Sequence, residues 1–130
     1  MSMGRQETVE RLSEMLTEER EVVFAYLYGS FMESGARDID IAIYVDEGLV
    51  DDALRYQLRL STKIEMAVRF PVDVLILNHA PMKLQYQAIK GRLLICKDNE
   101  MRLGFVEQLL IDYLDYRPLE EQMIEDILSL

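Results

Sequence analysis

Three aspartates in two short apolar segments are the residues of this chain best suited to chemistry. Asp38 and Asp40 alternate with isoleucines, so both side chains leave the same face of a predicted strand. The strand rise puts their backbones roughly 6 to 7 Å apart, and both carboxylates can therefore reach one cation. Oxygen ligands without a nearby His or Cys suit a hard cation, so the pair indicates Mg²⁺ rather than Zn²⁺.

Asp73 is the third candidate, and it interrupts an apolar run in the predicted strand Val72 to Leu77. An isolated charge buried in such a run is costly unless it is paired or bound to metal. If the two strands are neighbours, the three carboxylates can hold two metal ions roughly 4 Å apart, an arrangement used for in-line phosphoryl displacement. The structural alternative is that each aspartate only lies on a solvated strand edge.

Gly29 and Ser30 offer the complementary half of such a site. Gly29 ends an apolar run, and a glycine lets the backbone approach a phosphate closely. Ser30 can cap the short helical turn predicted to follow it and hold phosphate oxygens with nearby N–H groups. A lone Gly-Ser usually marks only a turn. Together with the aspartates, it favours a phosphate site in which metal ions offset the carboxylate charge.

The elements that must position these residues follow from hydrophobic spacing. Four short strands alternate with helices, which predicts an α/β (α+β) domain with helices packed on one side of a mixed four-stranded sheet. Pro118 is expected to divide the last helical stretch into a C-terminal helical pair, forming a flap or an interaction surface. In chain order, the pattern predicts helix at Glu7 to Glu19, strand at Val22 to Tyr28, strand at Asp38 to Val45, helix at Asp51 to Arg69, strand at Val72 to Leu77, helix at Met82 to Lys90, strand at Arg92 to Cys96, helix at Asn99 to Tyr116 and helix at Leu119 to Leu130.

Some side chains are expected to be structural. In the second predicted helix, the apolar side is expected to consist of Leu54, Leu58, Ile64 and Val68. Cys96 ends an apolar run and is expected in the core, because free cysteine behaves as a small hydrophobic residue.

The composition narrows the class of protein. A chain of 130 residues is expected to form a single domain. Its net charge of -10, from 24 acidic and 14 basic residues, argues against direct nucleic-acid binding, which depends on Lys and Arg. The acidic surface either suits a basic protein partner or only confers solubility. With one cysteine, no apolar leader and no run long enough to span a membrane, we expect a cytoplasmic protein without a disulfide.

The segment from Gly29 to Asp40, followed by Asp73, resembles the active-site pattern of the polymerase-β-like nucleotidyltransferase superfamily: Gly-Ser, a spacer, Asp-x-Asp and a later Asp. The small size is similar to its minimal branch (MNT). Tyr86 to Asp98 and Tyr113 to Leu119 resemble segments of the MntA antitoxins of HEPN/MNT toxin–antitoxin pairs. The resemblance covers the chain from about Tyr26 onward, and implies that residues 1–130 form one minimal nucleotidyltransferase domain.

The spacer between the two motifs departs from the family pattern. It consists of seven residues, Phe31 to Arg37, and is shorter than is usual in the family. Both ends keep their residues, so the departure affects the grip on the nucleotide rather than metal binding. Arg37 either compensates by touching phosphate or pairs with an acid.

The resemblance implies a mechanism. ATP with Mg²⁺ would bind with its triphosphate near Gly29 and Ser30, while Asp38, Asp40 and Asp73 hold two metal ions. Asp73 would also favour deprotonation of the attacking hydroxyl, which displaces pyrophosphate and accepts AMP. In MntA-like systems the acceptor is a tyrosine of a partner HEPN-domain RNase toxin, which implies a hetero-oligomer. Two alternatives stay open: an antitoxin that acts by binding the toxin without catalysis, and a small-molecule nucleotidyltransferase.

Overall fold

The computed structural model describes the backbone of residues 4–33 and 36–129, and the side chains of these ranges apart from positions 117, 123 and 124. Ser34 and Gly35, in the spacer, and Leu130, the expected end of the last helix, lie outside the described residues. Four helices and four strands follow the predicted order with small shifts at their ends. They are α1 (Arg5–Glu18), β1 (Val22–Tyr28), β2 (Ile39–Val45), α2 (Ala53–Val68), β3 (Val72–Ile76), α3 (Met82–Ile89), β4 (Arg92–Cys96) and α4 (Asn99–Leu128).

The strands form one mixed four-stranded sheet, as the sequence predicted, and their order is β3-β2-β1-β4. The central strand β1 runs antiparallel to both β2 and β4, while β2 and β3 are parallel. The register places Tyr28 opposite Asp40 and Asp40 opposite Asp73. Since paired residues share a face of a sheet, these three side chains form a row across three neighbouring strands.

Helices cover both faces of the sheet, so the prediction of helices on one side was wrong. The isoleucines of β2 pack with the buried faces of α1 and α2 in the main core. The opposite face carries aromatic side chains that also need covering. Phe24 stacks on Tyr44 with ring centroids 4.8 Å apart, and Phe105 of α4 packs 5.8 Å from Phe24. This second apolar cluster, which includes Ala88 of α3, is why α3 and α4 pack there.

The C-terminal helical pair was also predicted wrongly, because α4 is a single helix of 30 residues that contains Pro118. Proline removes one backbone donor, but propagating a helix past one missing hydrogen bond costs less than nucleating a second helix. Pro118 is exposed, so no packing partner forces the chain to turn there. Neither α4 nor any other helix within the described residues is long and apolar enough to cross a membrane.

Glu19, which follows α1, joins three parts of the fold. Its carboxylate accepts hydrogen bonds from the Tyr56 hydroxyl at 3.1 Å, from Arg59 at 3.2 Å and from Lys63 at 2.9 Å, all on α2. The Lys97 ammonium, just after β4, donates to its backbone carbonyl at 2.7 Å. Burial acts to raise the pKa of Glu19, but the bonds from Lys63 and Tyr56 and the nearby positive charges outweigh it, and the pKa is lowered.

Candidate active site

The sheet brings the three predicted aspartates to one face. Asp40 lies in β2 directly beside Asp73 of β3, and Asp38 precedes β2 by one residue. Burial, followed by the charges of Asp73 and Asp38, raises the pKa of Asp40. Asp73 is exposed rather than buried in its strand. It therefore faces the site and not the core. The carboxylates therefore act on one another, as the sequence predicted for neighbouring strands.

The carboxylates do not form a ready-made metal cage. Within residues 4–33 and 36–129, no three His, Cys, Asp or Glu side chains are grouped closely enough to hold a metal ion. Like charges favour separated side-chain positions, and Asp38 and Asp73 are exposed. The donor set consists of carboxylate oxygens that repel one another, which fits Mg²⁺ chemically.

Gly29 touches the carboxylate cluster directly. Its φ of +75° is in the left-handed region, and a Cβ at this position would lie 2.5 Å from Oδ2 of Asp40. Both the backbone conformation and the contact therefore require glycine. Ser30 is exposed beside it, and its carbonyl accepts from the N–H of Glu33 at 2.9 Å. The predicted short helix after Gly29 is thus only a hydrogen-bonded turn.

Tyr28 is part of the site and was missed from the sequence. It is half-buried, it pairs with Asp40 in the sheet register, and it precedes Gly29. Burial and the charges of Asp40 and Asp73 raise the pKa of Tyr28 to about 12, so its hydroxyl stays neutral at physiological pH. Only the register of β1 against β2 could have revealed it, because its position in an apolar run suggested a core residue.

Two cations, Lys90 and Arg92, lie next to Gly29 and were also missed. They line a cavity of about 430 Å³ together with Gly29 and the end of β1. Arg37, predicted as a phosphate ligand or an ion-pair partner, is exposed and forms no hydrogen bond or ion pair within the described part of the chain. The sequence signal that could have found the cations is Lys90-Gly91-Arg92 at a helix-to-strand junction.

Gly91 explains how the two cations come so close to Gly29. A Cβ at Gly91 would lie 2.2 Å from the carbonyl oxygen of Leu27, nearer than real Cβ atoms approach. The start of β4 is therefore pressed against the end of β1, where Leu27 pairs with Arg92. Any other residue at Gly91 would push these two strand ends apart.

Cys96 lies away from the aspartates. It is half-buried against the second apolar cluster, less enclosed than its predicted core position.

Comparisons with known proteins place this geometry in a family. A family model described as "Polymerase beta, Nucleotidyltransferase" matches residues 10–100, most of the chain. The sequence matches no curated protein. The fold, in contrast, has many counterparts among solved structures. Three of them are described below, and each is less than 25% identical in sequence to this chain. At that identity the likeness shows the fold alone.

The first is a chain of the toxin–antitoxin pair MntA-HepT, with a TM-score of 0.73, 20% identity, and coverage of 95% of this chain and 98% of that one. The second belongs to a tri-AMPylated Shewanella oneidensis HEPN toxin in complex with MNT antitoxin, with a TM-score of 0.75, 20% identity, and coverage of 96% and 99%. The third belongs to a toxin–antitoxin structure with AMP-PNP, with a TM-score of 0.73, 22% identity, and coverage of 92% and 98%.

The family model spans all the motif residues that form the site. Gly29, Asp38, Asp40 and Asp73 fall inside residues 10–100, and the sheet places them side by side. Motif, register and fold agree, and the chain belongs to the polymerase-β nucleotidyltransferase family.

Proposed function

We propose that this protein is an antitoxin enzyme that transfers AMP from ATP to a hydroxyl group, expected to be a tyrosine, of a partner HEPN RNase toxin. The family supports nucleotidyl transfer as the reaction. The fold is similar over nearly its whole length to chains from toxin–antitoxin structures, one with a tri-AMPylated toxin and one with an ATP analogue. The observation that carries the proposal is the contact of Gly29 with Asp40, which has Asp73 beside it.

The chemistry follows from that arrangement. Asp38, Asp40 and Asp73 would hold Mg²⁺, which supplies positive charge to the reacting phosphate. Gly29 leaves room for the Asp40 carboxylate, with which a side chain would collide, and its backbone would lie beside the triphosphate. The acceptor oxygen forms a bond to the α-phosphorus as the bond from that phosphorus to the bridging oxygen breaks, and pyrophosphate leaves. Asp73 would take the proton of the acceptor hydroxyl, a role supported by its exposed position on the edge strand.

The test is transfer of labelled AMP. The protein is incubated with labelled ATP, Mg²⁺ and its partner HEPN toxin. We expect the toxin to gain label and to lose its RNase activity. The variant Asp38→Ala with Asp40→Ala should transfer no label. The variant Glu10→Ala with Glu18→Ala makes the same charge change at two exposed positions of α1 and should behave as the wild type.

A second candidate function, neutralisation of the toxin by binding alone, is favoured by one observation. The described part of α4 carries apolar side chains that are 40 to 60% exposed: Leu103, Leu110, Ile111 and Leu114. Apolar side chains grouped on one helix are typical of a protein interface. If the Asp38→Ala, Asp40→Ala variant still protects cells while transferring no label, binding is the function and the catalytic proposal is wrong.

A further inference from the structure

We propose that Lys90 and Arg92 form the phosphate-binding side of this site and hold the β- and γ-phosphates of ATP, an inference that rests on the proposed nucleotidyl transfer. The spacer after Gly29 contributes one cation, Arg37, and Arg37 does not line the cavity at Gly29. The cations that grip the triphosphate would therefore come from the junction between α3 and β4, about fifty residues later in the chain.

The position of the cavity is the first support. Lys90 and Arg92 both line the cavity that opens at Gly29 and the end of β1, together with Gln87 of α3. Lys90 follows α3, which covers the aspartate face of the sheet, whereas Arg92 begins β4 and reaches Gln6 of α1 on the other side. The two cations thus bracket the strand end at which the Gly-Ser turn begins.

The order of charges across the sheet is the second support. From one edge inward, Asp73, Asp40 and Tyr28 form a row on one face of the sheet. On the far edge strand, Arg92 pairs with Leu27, the neighbour of Tyr28, so its side chain starts from the opposite face at the same end of β1. Carboxylates lie on one side of Tyr28 and cations on the other. A triphosphate laid across the end of β1 would therefore place its α-phosphate near the aspartates and their metal ions, and its terminal phosphates near Lys90 and Arg92.

The present partners of the two cations are the third support. Lys90 lies over the ring of Tyr86, with its ammonium 4.9 Å from the ring centroid, and Arg92 donates to the Gln6 side chain at 3.3 Å. Both contacts are with neutral groups, and neither cation has a carboxylate partner within residues 4–33 and 36–129. In a protein of net charge -10, two adjacent cations without an acid between them are suited to an anionic ligand.

The test compares ligands that separate the contribution of the triphosphate from that of the adenosine. Binding of ATP, AMP and inorganic tripolyphosphate to the full chain is measured by calorimetry in Mg²⁺, for the wild type and for Lys90→Ala with Arg92→Ala. Charge-assisted hydrogen bonds predict that the variant binds ATP and tripolyphosphate about tenfold more weakly or worse, while its affinity for AMP changes less than about twofold. Arg11→Ala with Arg20→Ala, two exposed arginines of the same total charge, should keep wild-type affinities.

The remaining outcomes each decide the question. Equal losses for ATP and AMP, unchanged ATP binding, or wild-type protein that binds neither ATP nor tripolyphosphate would each overturn the proposal. Circular dichroism of the variant shows that a loss is not unfolding, and Lys90→Arg with Arg92→Lys should recover most ATP affinity. The proposed function fails separately: if the wild type binds ATP through these cations but labels no toxin, the phosphate site stands and toxin AMPylation does not.

Discussion

The contact between Gly29 and Asp40 constrains the carboxylate side of the site. Gly29→Ala would combine a φ of +75° with a Cβ 2.5 Å from Oδ2 of Asp40. We expect the variant to lose about 1–2 kcal/mol of unfolding free energy and nearly all AMP transfer, because the carboxylate must move away from its metal-binding position. Urea denaturation and the labelling assay measure the two effects.

Gly104→Ala is the matched control for that change. Gly104 lies in α4 with no atom within 4 Å of an added Cβ, so alanine there should raise helix stability by roughly 0.5–1 kcal/mol. AMP transfer should be unchanged. A Gly29→Ala variant as stable and active as the Gly104→Ala variant would contradict the account of the site.

Asp40 illustrates a conflict between stability and function within one residue. Burial first, and then repulsion from the charges of Asp73 and Asp38, raise the pKa of its carboxylate. Asp40→Asn removes this repulsion at nearly constant volume. We expect a higher melting temperature in the absence of divalent cations, together with loss of AMP transfer, because an amide is a poor Mg²⁺ ligand. A lower melting temperature of the metal-free variant would show that the repulsion does not cost stability.

How much of the site the sequence could predict depends on the type of residue. The aspartates were found because charge inside apolar strands is unusual, and Gly29-Ser30 because glycine ends a strand. Tyr28 was not, since a tyrosine in an apolar run is normally a core residue. Lys90 and Arg92 were missed because only the close packing of Gly91 on Leu27 brings them to the site, and that contact is a property of the tertiary structure.

At the scale of elements, strands were easier to predict than helix faces. In α2 the buried stripe is Tyr56, Leu60, Ile64 and Val68, at regular steps of four, whereas Leu54 and Leu58 are 64% and 58% exposed. The predicted apolar side of α2 therefore combined residues from its buried face and its exposed face. Leucine is more hydrophobic than tyrosine, but Tyr56 is buried because its hydroxyl reaches Glu19. Such a pairing across 37 residues is invisible to local periodicity.

The Glu19 cluster leads to a prediction about pH. The pKa of Glu19 is lowered in the folded protein from its ordinary value of 4.5. Its stabilising effect is therefore fully present above about pH 4.5 and is lost as the pH falls through the folded pKa below that value. Glu19→Gln should reduce the unfolding free energy by about 1–2 kcal/mol at pH 7, and the difference from the wild type should shrink in acid.

Urea titrations from pH 7 down to pH 3 test this expectation. Glu14→Gln is the control, since Glu14 pairs only with Arg11 on the exposed surface of α1 at 3.3 Å. Exposed pairs contribute little, so this variant should follow the wild type at every pH. If Glu19→Gln lowers the unfolding free energy by the same amount at pH 3 as at pH 7, the effect of Glu19 comes from packing rather than from its charge.

Pro118 makes a prediction about α4. The proline leaves the carbonyl of Leu114 without its helical donor, which weakens the turn that connects the two halves of the helix. Pro118→Ala should stabilise residues 119–128 locally, by up to about 3 kcal/mol, and slow their amide hydrogen exchange. The global melting temperature should hardly change, because side chains there are mostly exposed. A large rise in melting temperature would instead show that this segment unfolds together with the core.

At the scale of the whole molecule, the proposed Mg²⁺ site would link metal binding to folding. A cation that binds only the folded state stabilises it by about 2.7 kcal/mol at a hundred times its dissociation constant. We therefore expect Mg²⁺ to raise the melting temperature of the wild type but not that of Asp38→Ala with Asp40→Ala. Sodium chloride at equal ionic strength is the control, because general screening of the -10 net charge would stabilise both proteins alike.

The ring stack beneath Lys90 has a consequence for communication between the cavity and α4. Tyr86 of α3 lies against Tyr113 of α4, with centroids 4.0 Å apart and planes within 3° of parallel, and Lys90 covers the Tyr86 ring. A phosphate that draws Lys90 away changes the surroundings of this stack. Such coupling is reciprocal. If bound nucleotide changes the affinity for a protein on α4 by some factor, that protein changes the affinity for nucleotide by the same factor. A toxin seated on α4 would thus regulate the loading of the enzyme that modifies it.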